Sequence, residues 1–460
     1  MDSRHDAPID EGTPLDAGEV WPRTLHGDMT RELSRAVALA EGAESLEEGE
    51  EDERQVLEAE ALLLDARRER ATDIHIDANS SGVLVRLRVD GRMLDCVLLS
   101  QERGLRVINQ FKTMARLNTE RCFVPEYSRF TYTIGDTAVD LRLTYAPTLR
   151  GQKLSIRVFQ SIEKAFYLQD LGLHEEGLEQ IQEWLGDISG MLLVCGPTGS
   201  GKTTTLYSLL HKLKLHERNV VTIEDPVEYE INGINQMQVD TRHGLDFAAG
   251  TKAMLRLDPD YLMLGEIREP AAARAAIIAA TSGRALMGTL HSRDAVGVVD
   301  TLRNYGLNGQ EISSTLVLVI AQRLVRKLCP HCKRSVEPTD HDLHWLARLE
   351  RPAPSRVWEA PGCERCNFTG YHGRTGVFEV WRINPQEYQL ILDGADRRTL
   401  YRQLAQRRHR FLIDDGLEKV AAGLTSLSEL HGMGGLSTMP HLDSLFPENG
   451  DRQVPAAGSS

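Results

Sequence analysis

The ten residues GPTGSGKTTT, positions 196–205, restrict this chain more than any other stretch in it. They fit the spacing G-x-x-x-x-G-K-[ST], with Gly196, Gly201, Lys202 and Thr203 in the fixed places. Each residue type has a task at a polyphosphate. Glycines let successive backbone N–H groups turn inward around phosphate oxygens, the lysine pairs the β and γ charges, and the hydroxyl after it ligates Mg²⁺. Such a loop must leave a buried strand and open a helix whose positive end faces the same anion. MLLVC stands before it and TTTLYSLLHKLK continues from it, so both requirements are met. Gly196, Pro197, Thr198, Gly199, Ser200, Gly201, Lys202, Thr203 and Thr204 are therefore the expected ATP-binding residues, with Thr203 also on magnesium.

The strand and helix alternation continues beyond the loop. VVTIED, YLMLGE and RALMGTL are short apolar strands, separated by helical segments such as PAAARAAIIAAT. This predicts an α/β domain with a mostly parallel sheet. Such sheets place ligands at the carboxyl ends of their strands. Glu224 and Asp225 end one strand, Gly265 and Glu266 another, and His291 follows a fourth in GTLHS. A strand-end acid is ordinarily a helix cap or a solvated group. Two of them in a phosphate-binding domain point instead to one that orients or deprotonates the attacking water and one that supports Mg²⁺ through water. His291 is placed to sense the γ-phosphate. A helix is expected over about 312–327.

At 460 residues the chain exceeds what one core usually supports, so two or three folded units are expected. EGAESLEEGEEDE packs eight acidic residues between Glu41 and Glu53, and residues 1–55 read as a solvated, disordered tail. Order is expected to begin at VLEAEALLLDARRERA, a helix by its apolar spacing. The strands DIHID, VLVRLRVDG, RFTYTI, AVDLRLTYA and KLSIRVF, with the helix RVINQFKTMARLN, then make a small α/β domain over 56–165. The phosphate-binding domain is expected over 166–328, a cysteine module over 329–375, a helical segment over 376–435 and a loose end over 436–460. No apolar run approaches the roughly 20 residues of a membrane span, and MDSRHDAPIDEGTP lacks the features of a signal peptide, so a cytoplasmic protein is expected. A formal charge of −14 argues against broad attraction to nucleic acid or anionic lipid.

Seven cysteines, odd in number and widely spread, do not suggest a disulfide framework. CPHC, with Cys329 and Cys332, would in isolation suit a redox site whose thiol pKa is lowered at a helix start. A second pair, Cys363 and Cys366 in GCERC, changes the reading. Together they supply the four thiolates of a tetrahedral Zn²⁺ site. Cys96, Cys122 and Cys195 have no partners at ligand spacing and read as small buried apolar residues.

From about residue 56 to 430 these motifs resemble the ring-forming ATPases of bacterial type II secretion and type IV pilus assembly. GPTGSGKTTT is similar to the family's Walker A, TIEDPVEY (222–229) to its aspartate box, LRLDPDYLMLGEIRE (255–269) to its Walker B region and GTLHS to its histidine box. ATDIHID, VRLRVDGR, VDLR and APTLRGQK resemble its first domain, and the two cysteine segments resemble its tetracysteine module. The resemblance implies a RecA-like P-loop ATPase domain preceded by a small PAS-like α/β domain, with a zinc module and a C-terminal helical segment. It implies ATP hydrolysis with Mg²⁺ in a homo-hexamer, peripheral to the inner membrane through secretion or pilus platform proteins. It makes Glu266 the main catalytic carboxylate and Glu224 its helper, with Arg129, Arg142, Arg256 and Arg268 closing over nucleotide. The module also favours assembly over retraction.

The family pattern is not matched everywhere. PEYSR (125–129) stands for its Pro-Gln-Asp-Gly-Arg stretch, Lys252 for an arginine and Arg284 for a histidine, and its long amino-terminal docking domain is expected to be absent or reduced to the acidic tail. Two other readings remain open. One is a RecA-like nucleic-acid motor, which the negative charge and the want of an aromatic and basic stripe disfavour. The other is a nucleotide-gated scaffold with little turnover.

Overall fold

The computed structural model describes residues 48–433, apart from 121–122, 135–136, 160–166, 188 and 214. The acidic tail lies outside the described residues up to 47, as do the expected loose end and Cys122. Two compact units divide the chain. The first holds residues up to 163 together with 361–370, and the second holds 164–360 and everything from 371 on.

The first unit opens with α1 (Glu48–Arg68), whose first turns take in the end of the acidic stretch. It continues through β1 (Ala71–Ala78), β2 (Val83–Val89), β3 (Arg92–Leu99), α2 (Gln101–Met114), β4 (Glu126–Ile134), β5 (Thr137–Thr148) and β6 (Gly151–Phe159). The sheet runs β3-β2-β1-β6-β5-β4, antiparallel throughout. The β2–β3 turn places Asp90 at φ +48° and Gly91 at +87°, the left-handed pair that a tight hairpin needs. Val83, Val85 and Leu87 face inward from β2. They meet an apolar stripe of α2 (Val107, Ile108, Phe111) and one of α1 (Leu62, Leu63, Ala66). Each helix thus buries one face on the sheet.

The second unit is built on a seven-stranded sheet of order β15-β12-β7-β11-β10-β8-β9. Its strands are β7 (Gly190–Cys195), β8 (Val220–Glu224), β9 (Asn235–Gln238), β10 (Tyr261–Leu264), β11 (Ala285–Leu290), β12 (Leu316–Leu328) and β15 (Tyr371–Arg382). All neighbours run parallel except β12 and β15. Alternate residues of β7 enter opposite layers. Met191, Leu193 and Cys195 join α6 (Pro270–Thr281) and α7 (Val296–Asn304) on one face. Leu192 and Val194 join α3 (Glu175–Asp187) and α4 (Lys202–Lys212) on the other. Burial on both faces explains why these strands read as continuous apolar runs.

One expectation is corrected. The helix foreseen over about 312–327 ends early: α8 (Gly309–Thr315), capped by Asn308 and Glu311, gives way to the thirteen-residue strand β12. β12 lies between β7 and β15 and is buried along most of its length, so its apolar run has no period that separates strand from helix. The branched Val317, Val319, Ile320 and Val325 favour the extended form. CPHC therefore follows a strand.

Between the cysteine pairs lie β13 (Arg334–Val336), α9 (Asp340–Arg348) and β14 (Val357–Glu359). The segment expected to be helical from 376 begins instead with the rest of β15, which pairs antiparallel with β12. Its helices follow as α10 (Pro385–Leu392), α11 (Arg397–Gln406), α12 (Leu412–Ala421) and α13 (Leu427–His431). The remaining helix, α5 (Phe247–Met254), packs beside β8. Among the described residues no helix is long and apolar enough to cross a membrane.

Candidate nucleotide site and cysteine cluster

The six residues between β7 and α4 turn the chain from sheet edge to helix axis. Gly196 (φ +155°), Gly199 (+79°) and Gly201 (+89°) supply conformations that L side chains rarely adopt. A Cβ on Gly196 would also lie 2.5 Å from the Gln322 carbonyl oxygen. Pro197, Thr198 and Gly199 are exposed at the crest, Ser200 is buried beneath it, and Thr203 and Thr204 lie in the first turn of α4. Lys202 Nζ donates to the carbonyls of Gly196 (2.9 Å) and Pro197 (3.1 Å). Burial lowers its pKa from the ordinary value, with the Glu266 charge acting in the opposite sense.

The loop is braced from an unforeseen direction. Gln322, buried in β12, donates through Nε2 to the Ser200 carbonyl (2.6 Å) and accepts from the Thr205 hydroxyl (2.7 Å). Its partners are 122 and 117 residues away in sequence, beyond any local pattern.

The two strand-end carboxylates sit in different surroundings. Glu224, the last residue of β8, is buried and saturated. Its Oε1 accepts from the Thr222 hydroxyl (2.7 Å) and Gln236 Nε2 (3.1 Å), and its Oε2 accepts from the Tyr207 hydroxyl. Burial and this bond push the Tyr207 pKa well up, so the tyrosine keeps its proton. Glu266 is more open. Its Oε2 lies 2.5 Å from Arg268 Nη2 and its Oε1 lies 2.5 Å from His291 Nε2. The His291 contact is a close approach without hydrogen-bond alignment, because Oε1 is buried and no donor among the described residues meets it in bonding geometry. Burial raises the Glu266 pKa, but the Arg268 bond and the charges of His291, Arg268 and Lys202 outweigh it and hold the carboxyl below its ordinary range.

Position 265, beside Glu266, leaves little room for a side chain. A Cβ there would lie 3.2 Å from Glu224 Cα and 3.3 Å from the Ile223 carbonyl, tighter than a side chain normally finds room for.

The structure thus gathers Lys202, Glu266, Arg268 and His291. Arg256 is exposed and makes no ion pair among the described residues. Arg129 and Arg142 belong to the first unit, where they are register partners on β4 and β5. Arg142 in turn faces Arg157 on β6, and Arg157 faces Asp73 on β1, to which its Nε donates at 3.1 Å. Three arginines thus share one cross-strand row, which runs on to Asp73. Arg157 is the member that motif reading missed.

The sulfurs of Cys329, Cys332, Cys363 and Cys366 all lie within 4.8 Å of one another. A tetrahedral zinc about 2.3 Å from each thiolate spaces sulfurs roughly 3.8 Å apart. Cys363 Sγ and Cys366 Sγ are 3.7 Å apart. The backbone N–H groups of Cys363 and Gly370 donate to Cys366 Sγ, each at 3.2 Å. The donor set fits zinc. Of the other cysteines described, Cys195 is buried at the end of β7 and Cys96 packs against the first core.

Residues 48–432 match the family described as Type II/IV secretion system protein. This chain belongs to that family. The Type II secretion system ATPase E of Vibrio cholerae serotype O1 is 38% identical over 411 residues, covering 89% of this chain and 81% of that protein. The Type IV pilus assembly ATPase PilB of Thermus thermophilus is 38% identical over 373 residues, 81% of this chain and 41% of its own length. Among solved structures, the ATPase DotB of Legionella pneumophila aligns with a TM-score of 0.60 at 19% identity, over 81% of this chain and 94% of its own. The pilus retraction motor PilT with bound ADP aligns with a TM-score of 0.54 at 19% identity, over 82% and 96%. These structures share the fold. The chain is a secretion or pilus ATPase.

Two departures from the family pattern now have local explanations. In this secretion ATPase Arg284 donates to the Pro259 carbonyl (3.1 Å) and the Ser282 hydroxyl (3.0 Å), so it holds the turn after α6 against the loop that leads into β10. Lys252 is exposed in the last turn of α5, where a cation complements the helix end.

Proposed function

We propose that six copies of this chain form a ring motor on the cytoplasmic face of the inner membrane, driving pseudopilus or pilus assembly through platform proteins. The observation that carries this reading is Glu266, a carboxylate kept ionised beside Arg268 and His291 and close enough to Lys202 to pull on its charge.

In this reading the loop from Gly196 to Gly201 binds the phosphates by backbone N–H groups, and Lys202 leaves its carbonyl partners to pair the β and γ charges. Pro197, Thr198, Gly199, Ser200 and Thr204 shape the cradle, and Thr203 would hold magnesium, which when bound neutralises charge between the β and γ oxygens. Glu266 orients the attacking water and takes its proton through the carboxylate oxygen that has no aligned donor. His291 and Arg268 set the direction of that carboxylate, and Arg268 is freed to meet charge growing on the γ-phosphate. Glu224 acts as a positioning residue through Tyr207, Thr222 and Gln236. Arg129, Arg142 and Arg256 supply further cationic donors. Cys329, Cys332, Cys363 and Cys366 hold one zinc that locks the module's two ends together.

The test is Mg-ATP turnover per chain against protein concentration, for wild type and Glu266→Gln, with and without single-stranded DNA, with light scattering in parallel. Turnover that rises with concentration, falls at least about a hundredfold in the variant and ignores DNA is expected. Monomeric scattering under every nucleotide condition, or an active Glu266→Gln, refutes the proposal. Stimulation by DNA would favour a nucleic-acid motor.

A further inference from the structure

We propose that His341, Asp342 and His431 form a second metal site, for a divalent cation of the zinc class, which ties the insert between the cysteine pairs to the last helix. The two histidines and the aspartate present one donor atom each, all within 4.8 Å of one another. They come from two separate elements: His341 and Asp342 from the first turn of α9, and His431 from the end of α13.

The local chemistry leaves these donors available. Asp342 caps its own helix with one oxygen, Oδ2, which accepts from the Thr339 N–H (2.9 Å) and hydroxyl (2.7 Å). Its other oxygen, Oδ1, lies 3.7 Å from His431 Nε2. That nitrogen is buried and has no hydrogen-bond partner among the described residues. Leaving such an atom unpaired is destabilising, so a buried, partnerless imidazole nitrogen beside a carboxylate asks for an occupant.

The rings are already arranged around the spot. His431 packs edge-on against Trp345 (centroids 4.2 Å) and His341 (5.1 Å), so one side is shielded by the indole. His341 is exposed, which leaves a side open to a water ligand. A tetrahedral zinc with bonds near 2.1 Å spaces its donors roughly 3.4 Å apart, so the observed spread closes by about 1 Å of side-chain rotation. Two imidazoles and a carboxylate suit zinc and its borderline neighbours far better than calcium or magnesium. A simple ion pair explains the contact less well, because His431 Nε2 and Asp342 Oδ1 stand 3.7 Å apart with no hydrogen bond between them.

The position gives such a site leverage. α13 also carries Glu429, whose carboxylate accepts from the Arg326 backbone N–H (2.9 Å) and from its guanidinium (2.7 and 3.1 Å). The helix therefore already grips β12 three residues ahead of Cys329. An ion shared with α9 fixes the insert to the same helix.

The test uses the full chain, dialysed against low micromolar free zinc and then analysed for metal and protein. About two zinc ions per chain are expected for wild type, and about one for His341→Ala and for His431→Ala. Because His341 is exposed, its replacement leaves the fold intact, and circular dichroism controls for this. With cobalt substituted for zinc, the near-ultraviolet thiolate band of the cysteine site should be unchanged in both variants while total cobalt falls by about one equivalent. One zinc per wild-type chain at saturation overturns the proposal. So does a His341→Ala variant that keeps the wild-type count.

Discussion

Replacing Gln322 by leucine tests whether the phosphate loop is held from β12. Leucine nearly conserves volume, so the substitution removes two hydrogen bonds without opening a large cavity. Gln322 is 1% exposed, and the Ser200 carbonyl it serves is buried with it. The Thr205 hydroxyl can turn back to the carbonyl one helical turn earlier, so its loss is partly recovered. The Ser200 carbonyl has no such substitute, and the net cost comes to about 2 kcal/mol. Two limits bracket how this appears. If the loop relaxes in the free protein and must be rebuilt on binding, ATP affinity falls by roughly 30-fold. If the loop keeps its shape, the same cost lowers the melting temperature of the unit by roughly 4–8 °C. Titration with a fluorescent ATP analogue and calorimetry on the same samples read both. A variant within twofold of wild-type affinity that also melts within about a degree of wild type refutes the bracing role.

Three further outcomes follow from the same geometry. Gly196→Ala brings a Cβ within 2.5 Å of the Gln322 carbonyl at φ +155°, and a strain of about 1–3 kcal/mol should weaken ATP analogue binding roughly 5- to 150-fold; unchanged binding counts against the loop conformation. Glu379 on β15 is buried, and burial pushes its carboxyl well above the ordinary range, while burial pushes His409, 3.5 Å away, down to about 4. The folded state holds an extra proton at Glu379 above 4.5 and gives one up at His409 below 6.5, with opposite effects on stability. Comparison with Glu379→Gln cancels the His409 effect, so wild-type stability should fall relative to the variant as pH rises from 4.5 through the raised folded pKa of Glu379, by up to about 1.4 kcal/mol per unit; urea midpoints of the two proteins that stay parallel across that rise would contradict this. Removing the tetracysteine metal with a chelator, or replacing Cys329 and Cys363 by serine, should abolish zinc at that site and expose the 329–375 segment to proteolysis, as limited digestion with mass spectrometry would show.

What could be read from the sequence was local. The loop from Gly196 to Thr204 was legible because backbone geometry demands glycines at fixed intervals. Glu224, Glu266 and His291 were legible because parallel strands announce their own carboxyl ends. The contrast between the two carboxylates was not, since it depends on Tyr207 and Gln236 closing around Glu224 from other elements. β12 was misread for a reason of physics: burial on both faces erases the alternation that distinguishes a strand. Arg157 went unnoticed because a row across a sheet exists only once register is fixed, and no spacing along one strand records it.

β12 carries one more consequence. It is hydrogen-bonded along both edges, to β7 and to β15, and the ladder with β15 extends from Leu318 to Leu328. Gln322 touches the phosphate loop, and Cys329 follows seven residues on, a distance of roughly 23 Å for an extended strand. A pull applied at the cysteine end loads these ladders lengthwise, in shear, so many bonds share the force at once instead of opening one after another. The strand behaves as a tie rod, and traction on the cysteine end arrives at the nucleotide loop before it tears the sheet.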